Sequence, residues 1–480
     1  MLAASTTVLY LLLFAGGFTL VGVWYSRRGH DSLEDYVTAR NSQGATATIL
    51  TLLASSLGAW ILFAPAQAAT WGGLGAIIGY ALGAMSPRLV MIPLGRRMRE
   101  LIPQGHTLTE FVITRFGKPM YALTLLIMMF YMFITLAAET TAIAKLVAMI
   151  SPVPLWATAS IVMGCTLLYT TYGGLRASIF TDKIQMIVIV PLLALLLVLG
   201  WKAVGGAGPT IEGLQANAPQ LLDLGDPAGI KAGLTFFVAI LLTGLFHQGN
   251  WQRVYAAKDN RTMRNGFLLG GLMAAPVIFL MGLFGLAFVG LGHQGDSSVA
   301  LFTVITPRLP DWVAIALIPL GLSLVMSTAD TVISAVSSII AVDVRRLAPS
   351  VSRKSLMMLS RWLVVLLAIP VLLVAAQGYS VLYLFLLADL FCSAAAFPVF
   401  FGLYSKRLTG SMAVISTLCG LVAGIALFPA PGAKPQYLLE SFLLAAFVPV
   451  VVSAILLRTK RTRTHFDFST FGRVIRSLDD

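Results

Sequence analysis

The run 169–185, YTTYGGLRASIFTDKIQ, places a Gly-Gly pair, one Arg and an Asp-Lys-x-x-Gln cluster between two long apolar spans. Soluble loops seldom sit there. Interruptions between apolar spans mark places where the backbone lines a cavity rather than lipid. A second stretch, 323–338 (SLVMSTADTVISAVSS), spaces Ser323, Ser327, Asp330, Thr331, Ser334, Ser337 and Ser338 three or four residues apart. On a helix those positions form one polar stripe, and Val325, Met326, Val332, Ile333 and Val336 cover the rest.

Composition makes this an all-α integral membrane protein. The 480 residues are 58% hydrophobic and 11% charged, with a mean hydropathy of +0.87, far too apolar for a soluble domain. About 20 helical residues cross a hydrocarbon core, and about 13 stretches qualify: 5–25, 45–68, 73–95, 119–150, 154–172, 177–200, 231–252, 265–291, 311–342, 357–376, 379–402, 411–428 and 437–457. Short polar or basic loops join them, which leaves no room for a soluble domain. The three cysteines, Cys165, Cys392 and Cys419, lie in apolar spans at unrelated spacings and read as small buried hydrophobes rather than a disulfide or metal framework.

A net charge of +13 suggests nucleic acid until the basic residues are placed on this topology. They segregate: 27 of the 33 Lys and Arg fall in one set of alternating loops and tails, around Arg27/Arg28, 96–118, Arg176/Lys183, 253–264, 345–361, Lys406/Arg407 and the tail from Arg458. The opposite loops hold five, and loop 201–230 carries Glu212, Asp223 and Asp226. The positive-inside rule makes the basic side cytoplasmic, with the N-terminus outside, the C-terminus inside, and no nucleic-acid partner. With no basic residue before it and a pair after it, span one reads as an uncleaved helix.

Two spans are interrupted in comparable ways. The second carries Ser55, Ser56, Gly58 and Pro65; the seventh carries Gly244, His247, Gln248, Gly249 and Asn250. Five spans separate their starts, an odd number, so the two broken helices enter from opposite sides. That pattern predicts two inverted five-helix repeats with a site near the midplane. The chain divides into a peripheral helix and cytoplasmic loop (1–44), a first repeat with an extracellular loop (45–230), a second, inverted repeat (231–404), and two peripheral helices with a short basic tail (405–480).

Within span nine, Asp330 costs about 2.5–3.5 kcal/mol unless it faces a cavity, a cation or a partner. Small hard cations prefer oxygen donors, and hydroxyls with freed carbonyls supply them without the charge density that selects a divalent ion. Ser327 and Thr328, the carbonyl of Leu324 one turn earlier, and carbonyls of Ala54 and Leu57 in the broken second span form such a set. Glu139 in span four and Asp389 in span eleven are functional candidates by their depth, with Lys145 an alternative partner for Glu139. Trp60, Phe63, His247, Gln248 and Trp251 lie at or beside the two breaks, where solute binding, gating and packing are all open readings.

Taken together, these stretches resemble the sodium:solute symporter family. VMSTADTVISAVSS looks like its eighth core helix, YTTYGGLRASIFTDKIQ like the signature at the junction of its fourth and fifth core helices, and WQRVYAAKD (251–259) extends the match. The resemblance implies a LeuT-like core and a first sodium site at Ala54, Leu57, Leu324, Ser327 and Thr328. It also implies a second cation or proton site around Asp182, Asp330 and Thr331. Two features depart from the family. Its proline carriers have Asp where this chain has Ser56, so a proline site is not carried over, and Asp330 replaces a hydroxyl of members with two sodium sites. The segments SLGAWILFAPAQAATWGG and PQGHTLTEFVITRFG look closest to urea-type and other small-solute branches.

The expected function is sodium-coupled secondary active symport of a small polar solute (urea, amino acid or polyamine) by alternating access in the inner membrane. The expected solute site is Trp60, Phe63, Glu139, His247, Gln248, Trp251 and Asp389, with no basic residue placed among them. Sodium is the only metal implied, with no organic cofactor and no obligate protein partner beyond the lipid bilayer. An intramembrane enzyme is disfavoured because HExxH, GxSxG and a Cys/His cluster are all missing from the sequence. A sodium-independent facilitator or channel, or a transporter-like sensor working through a separate partner, shares the same sequence features.

Overall fold

Residues 2–27, 32–348, 350–433, 435–459 and 465–478 are described by the structure, a computed structural model. Arg28, Lys434, Lys460, Arg461 and Arg463 of the charge pattern lie outside them. The chain folds into helices α1 (Ala4–Ser26), α2 (Leu33–Val37), α3 (Ala45–Ala54), α4 (Ala64–Leu101), α5 (Leu108–Phe116), α6 (Lys118–Ile150), α7 (Leu155–Ala203), α8 (Ala207–Asn217) and α9 (Pro227–Thr243). These are followed by α10 (Gln248–Ala256), α11 (Asn260–Gly290), α12 (Ala300–Ile305), α13 (Asp311–Leu347), α14 (Arg353–Ala376), α15 (Val381–Phe401), α16 (Gly410–Ile425), α17 (Leu438–Thr459) and α18 (Thr470–Val474).

Among the described residues, ten helices are long and apolar enough to cross a membrane, and α3 and α16 are shorter apolar helices. The difference from thirteen predicted spans lies in how segments are divided. α7 runs for 49 residues through both 154–172 and 177–200, turning at Gly174 (φ 54°, ψ −154°). α4 likewise joins the end of the second predicted span to the third through Gly73 (φ 56°, ψ −150°). Only glycine takes such angles without strain, and space agrees: a Cβ on Gly73 would strike the Leu221 backbone, and one on Gly174 would strike Tyr36.

The second and seventh predicted spans are broken in matching fashion. α3 stops at Ala54, and after Ser55–Gly58 a 3-10 turn, Ala59–Leu62, leads into α4. α9 stops at Thr243, and a 3-10 turn at Gly244–Phe246 and an extended His247 (φ −73°, ψ 104°) lead into α10. An isolated bridge pairs Gln43 with Ala257. Beside it Asn41 N–H donates to the Tyr255 carbonyl (3.0 Å), Gln43 N–H to Ala256 (2.9 Å) and Lys258 N–H to Gln43 (2.9 Å). The start of one broken helix is thus tied to the end of the other, as an inverted pair requires. α4 packs on α9 through a row of small residues: a Cβ on Gly75 or Gly79 would meet the backbone of Gly229 or Gly233, the close approach that membrane helices use in place of a hydrophobic driving force.

The basic end of the bundle is sewn together by a buried cluster outside the spans. His106 sits between Glu34 (2.6 Å) and Glu110 (3.0 Å), while Glu34 also accepts from Arg40 Nε (2.7 Å) and the Leu478 N–H (3.2 Å). The tail that brings Leu478 there is anchored by Phe471, buried and stacked on Phe111 at 5.6 Å. Burial opposes protonation of His106, but the charges and hydrogen bonds of Glu110 and Glu34 outweigh it and raise the imidazole to about 9. Burial likewise opposes ionisation of Glu34, and His106 and Arg40 overcome it, holding the carboxyl at about 2.

A raised histidine stabilises fully below its ordinary 6.5 and loses that contribution as pH rises through about 9; the depressed Glu34 contributes above its ordinary 4.5 and loses it as pH falls towards about 2. Thermal stability should therefore decline between pH 7 and pH 10, by on the order of 1–3 kcal/mol from this cluster. His106→Gln should flatten that decline; an unchanged slope in thermal melts would show that the cluster does not hold the tail and α2 in place.

Candidate functional site at the two helix breaks

Where α3 ends, the carbonyls of 54–57 leave the regular helical ladder. The stripe on α13 faces them. The Ser327 hydroxyl donates to the Ala54 carbonyl (3.3 Å) and the Leu324 carbonyl (3.0 Å), and Thr328 donates to Leu324 (3.3 Å). Four of the five expected donors, Ala54, Leu324, Ser327 and Thr328, therefore converge as oxygen atoms without a carboxylate among them. Leu57 lies in the same break, its N–H on the carbonyls of Leu53 (3.0 Å) and Ala54 (3.2 Å); among the described residues no hydrogen bond ties its own carbonyl to either hydroxyl.

A second polar junction joins α3, α7, α10 and α13, and it holds a residue that sequence reading had put elsewhere. Asp330 accepts from Tyr169 (2.8 Å), Ser178 (2.8 Å) and Thr181 (2.9 Å), so it bolts α13 to α7 on both sides of the Gly174 kink. Asp182 accepts from Thr51 at 2.5 Å and pairs with the Arg253 guanidinium at 3.3 Å. The same guanidinium donates to Thr331 at 2.8 Å. Arg253, counted with the cytoplasmic loop from its sequence position, is only 1% exposed and lies inside the bundle. The positive-inside count misplaced it because α10 continues for nine residues past the break, Gln248–Ala256. Oδ1 of Asp182 has no hydrogen-bond partner among the described residues.

Beside the first donor set lies a cavity lined by Ser55, Ser56, Trp60, Glu139, Thr243, His247, Thr328 and Asp389, among others. Of the expected solute residues, Trp60, Glu139, His247 and Asp389 thus come together and three do not. Phe63 is buried against Phe302, with ring centroids 5.1 Å apart. Gln248 turns towards the basic end, its amide on the carbonyl of His106 (2.9 Å) and the N–H of Leu108 (3.1 Å). Trp251 stacks on Phe400 at 6.0 Å and donates Nε1 to Leu245 (2.8 Å). Glu139 does not pair with Lys145, which reaches Ser298 (2.7 Å); its carboxylate accepts from the Ala59 N–H (2.7 Å) and so caps the broken helix. His247 Nδ1 accepts from Gly249 N–H at 3.1 Å.

The expectation of a cavity without a basic residue is overturned: Arg88 of α4 lines it. One of its N–H groups donates to the Ala84 carbonyl (2.6 Å), and among the described residues its Nε has no hydrogen-bond partner. Tyr80, Tyr131 and Phe385 also line the cavity and went unnoticed in the sequence. A lone Arg thirteen residues before the end of a helix was a legible signal, since intramembrane charges face cavities; the three rings gave none, because aromatics on apolar helices most often pack.

A family model described as the sodium:solute symporter family matches residues 36–420. The chain belongs to this family. A spermidine transporter of Candida albicans is 27% identical over 383 residues, covering 78% of this chain and 70% of its own. An osmoregulated proline transporter of Bacillus subtilis is 25% identical, with 92% of each chain covered. The sodium/proline symporter of Escherichia coli is 26% identical, with 78% of each covered. Among solved structures, a sodium-coupled sialic acid symporter superposes with a TM-score of 0.78 at 18% identity, over 96% of this chain and 98% of that one. A nucleobase-cation-symport-1 family transporter gives 0.60 at 13% identity, over 91% and 96%. The fold is the LeuT-like one, and family and relatives are transporters; the urea-type branch is not singled out.

Two outcomes follow from the geometry. Replacing Ser327 and Thr328 together by Ala removes two oxygen donors, and a tenfold or greater loss of sodium affinity, about 1.4 kcal/mol or more, is expected in titrations of the folded protein; unaltered affinity would refute the assignment. Arg253→Met strands two buried carboxylates at a cost of roughly 3–5 kcal/mol. Adding Asp182→Asn should recover much of that loss, whereas simple additivity of the two melts would show that the charges are not coupled.

Proposed function

We propose that this protein is a sodium-coupled secondary active symporter that imports a small polar solute, of the urea, amino acid or polyamine class, by alternating access. One observation carries the reading: Thr328 belongs both to the oxygen set shared by α3 and α13 and to the lining of the cavity. An ion there and a solute beside it share one wall, so each stabilises the arrangement that the other needs, which is the coupling free energy that symport demands. Thirteen crossings with the N-terminus outside and the C-terminus cytoplasmic, divided at 44, 230 and 404, fit the charge segregation and the two glycine kinks.

In this reading the first sodium takes Ala54, Leu57, Leu324, Ser327 and Thr328. The second locus, at Asp182, Asp330 and Thr331, already receives the positive charge of Arg253, which leaves at most one unit of negative charge for a proton or cation. One sodium per cycle is the expected coupling.

Uptake into proteoliposomes should therefore require an inward sodium gradient and rise hyperbolically with sodium, with a Hill coefficient of about 1, since that coefficient is bounded by the number of coupled sites. Uptake indifferent to sodium would favour a facilitator, and a sigmoidal dependence would contradict the role given to Arg253. Tags at the N-terminus and in loop 201–230 should label from outside and one after Arg458 only from inside; both termini on one side would overturn the thirteen-crossing topology.

A further inference from the structure

The symporter reading leaves the solute open among three classes, and two ionisable side chains of the cavity, neither with an ion-pair partner among the described residues, separate them. Asp389 is 5% exposed and projects from α15 one turn after Phe385. Among the described residues its carboxylate has no ion-pair partner; the nearby Thr243 hydroxyl donates to the Asp389 backbone carbonyl (3.4 Å). Around it stand Trp60, Tyr80, Tyr131 and Phe385, with Trp60 stacked 5.6 Å from Tyr80 and edge-on 6.1 Å from Phe385. A carboxylate walled by aromatic faces attracts an organic ammonium, through the charge and through the ring quadrupoles. Arg88 lines the same cavity with spare N–H donors, and no ion pair joins it to Asp389 or to any other described carboxylate. A planar fork of unpaired donors suits a carboxylate.

Charge balance selects among the classes. With Glu139 and Asp389 both ionised, the site holds two negative charges; Arg88 and the proposed sodium at Thr328 bring two positive ones. His247 adds none, because its Nδ1 accepts a hydrogen bond and the imidazole is neutral. A solute with no net charge leaves the loaded site balanced, whereas a triamine leaves an excess of three and a dianion an excess of two, both costly in a poorly screened interior. A neutral solute such as urea also balances, but it leaves Asp389 and Arg88 each without a counter-charge, the arrangement that buried ions tolerate least. A zwitterion answers both.

We infer that the transported solute is a zwitterion with the charge pattern of an amino acid, its ammonium held by Asp389 within the ring of Trp60, Tyr80, Tyr131 and Phe385, and its carboxylate held by Arg88. This assigns Arg88 as the residue that separates amino acids from amines. The inference rests on the symporter reading for its sodium charge, and the test keeps the two apart.

The purified protein is challenged in thermal-shift and competition assays, with sodium and with potassium, by the common L-amino acids, their amides, the amines that they give on decarboxylation, spermidine and urea. At least one amino acid should stabilise the protein in sodium, and its amide and its amine should bind at least tenfold more weakly. Arg88→Gln should close the gap between amino acid and amine to less than threefold, and Asp389→Asn should weaken both. Sodium-dependent binding of spermidine or urea with none by any amino acid would overturn the zwitterion while leaving the symporter standing, and so would an Arg88→Gln protein that keeps the tenfold preference. An amino acid bound equally in sodium and potassium would uphold the zwitterion and refute the sodium coupling.

Discussion

Every backbone N–H and C=O inside a hydrocarbon layer needs a partner, and this protein breaks two helices there. That constraint organises the rest. The break after Ala54 is tolerated because Ser327 of α13 donates to the Ala54 carbonyl and Glu139 of α6 accepts from the Ala59 N–H. At the other break, Asn250 and Trp251 donate to the carbonyls of Gly244 (2.9 Å) and Leu245 (2.8 Å). Side chains from neighbouring helices and from the chain's own next turn thus do what the helical ladder no longer does. The cavity exists because the breaks exist, and the residues that satisfy the first of them also adjoin the proposed ion and solute.

Rigidity around the breaks comes from charge. Asp330, with three hydroxyl donors from α7, and Asp182, with Thr51 and Arg253, lock α3, α7, α10 and α13 into one junction. At the basic end, His106, Glu34, Arg40 and the tail close the bundle, and Arg99 donates to the carbonyls of Val254 (2.6 Å) and Ala257 (2.8 Å) beyond the second break. An alternating-access cycle has to undo contacts of this kind at one end while keeping the junction at the other.

The fold was legible because apolar length, charge segregation and paired interruptions are properties of composition and count. So was the polar stripe on α13, since Ser327, Asp330, Thr331 and Ser334 recur at helical spacing. Orientation at a break is a different matter. Phe63, Gln248 and Trp251 sit within a few residues of the cavity-lining Trp60 and His247, yet the 3-10 turns rotate them towards Phe302, the His106 loop and Phe400, and no periodicity survives across such a turn to forecast it. Arg253 was misread for a related reason: a helix that resumes after a break carries its residues back into the bundle, where a count of loop charges assigns them to solvent. The separation expected between spans 154–172 and 177–200 holds at Gly174, where positive φ ends one helical stretch and starts the next, and Gly73 does the same between the second and third spans.

In the proposed symport, sodium takes the oxygen set shared by the break in α3 and the stripe on α13, and its binding steadies the wall of the solute cavity. Hydrogen exchange of the purified protein in sodium against potassium, followed at peptides covering 54–62 and 324–331, tests it most directly. Slower exchange is expected in sodium at both segments together, with no such difference in the Ser327→Ala/Thr328→Ala protein. Equal exchange in the two salts at both segments of the wild-type protein would contradict it.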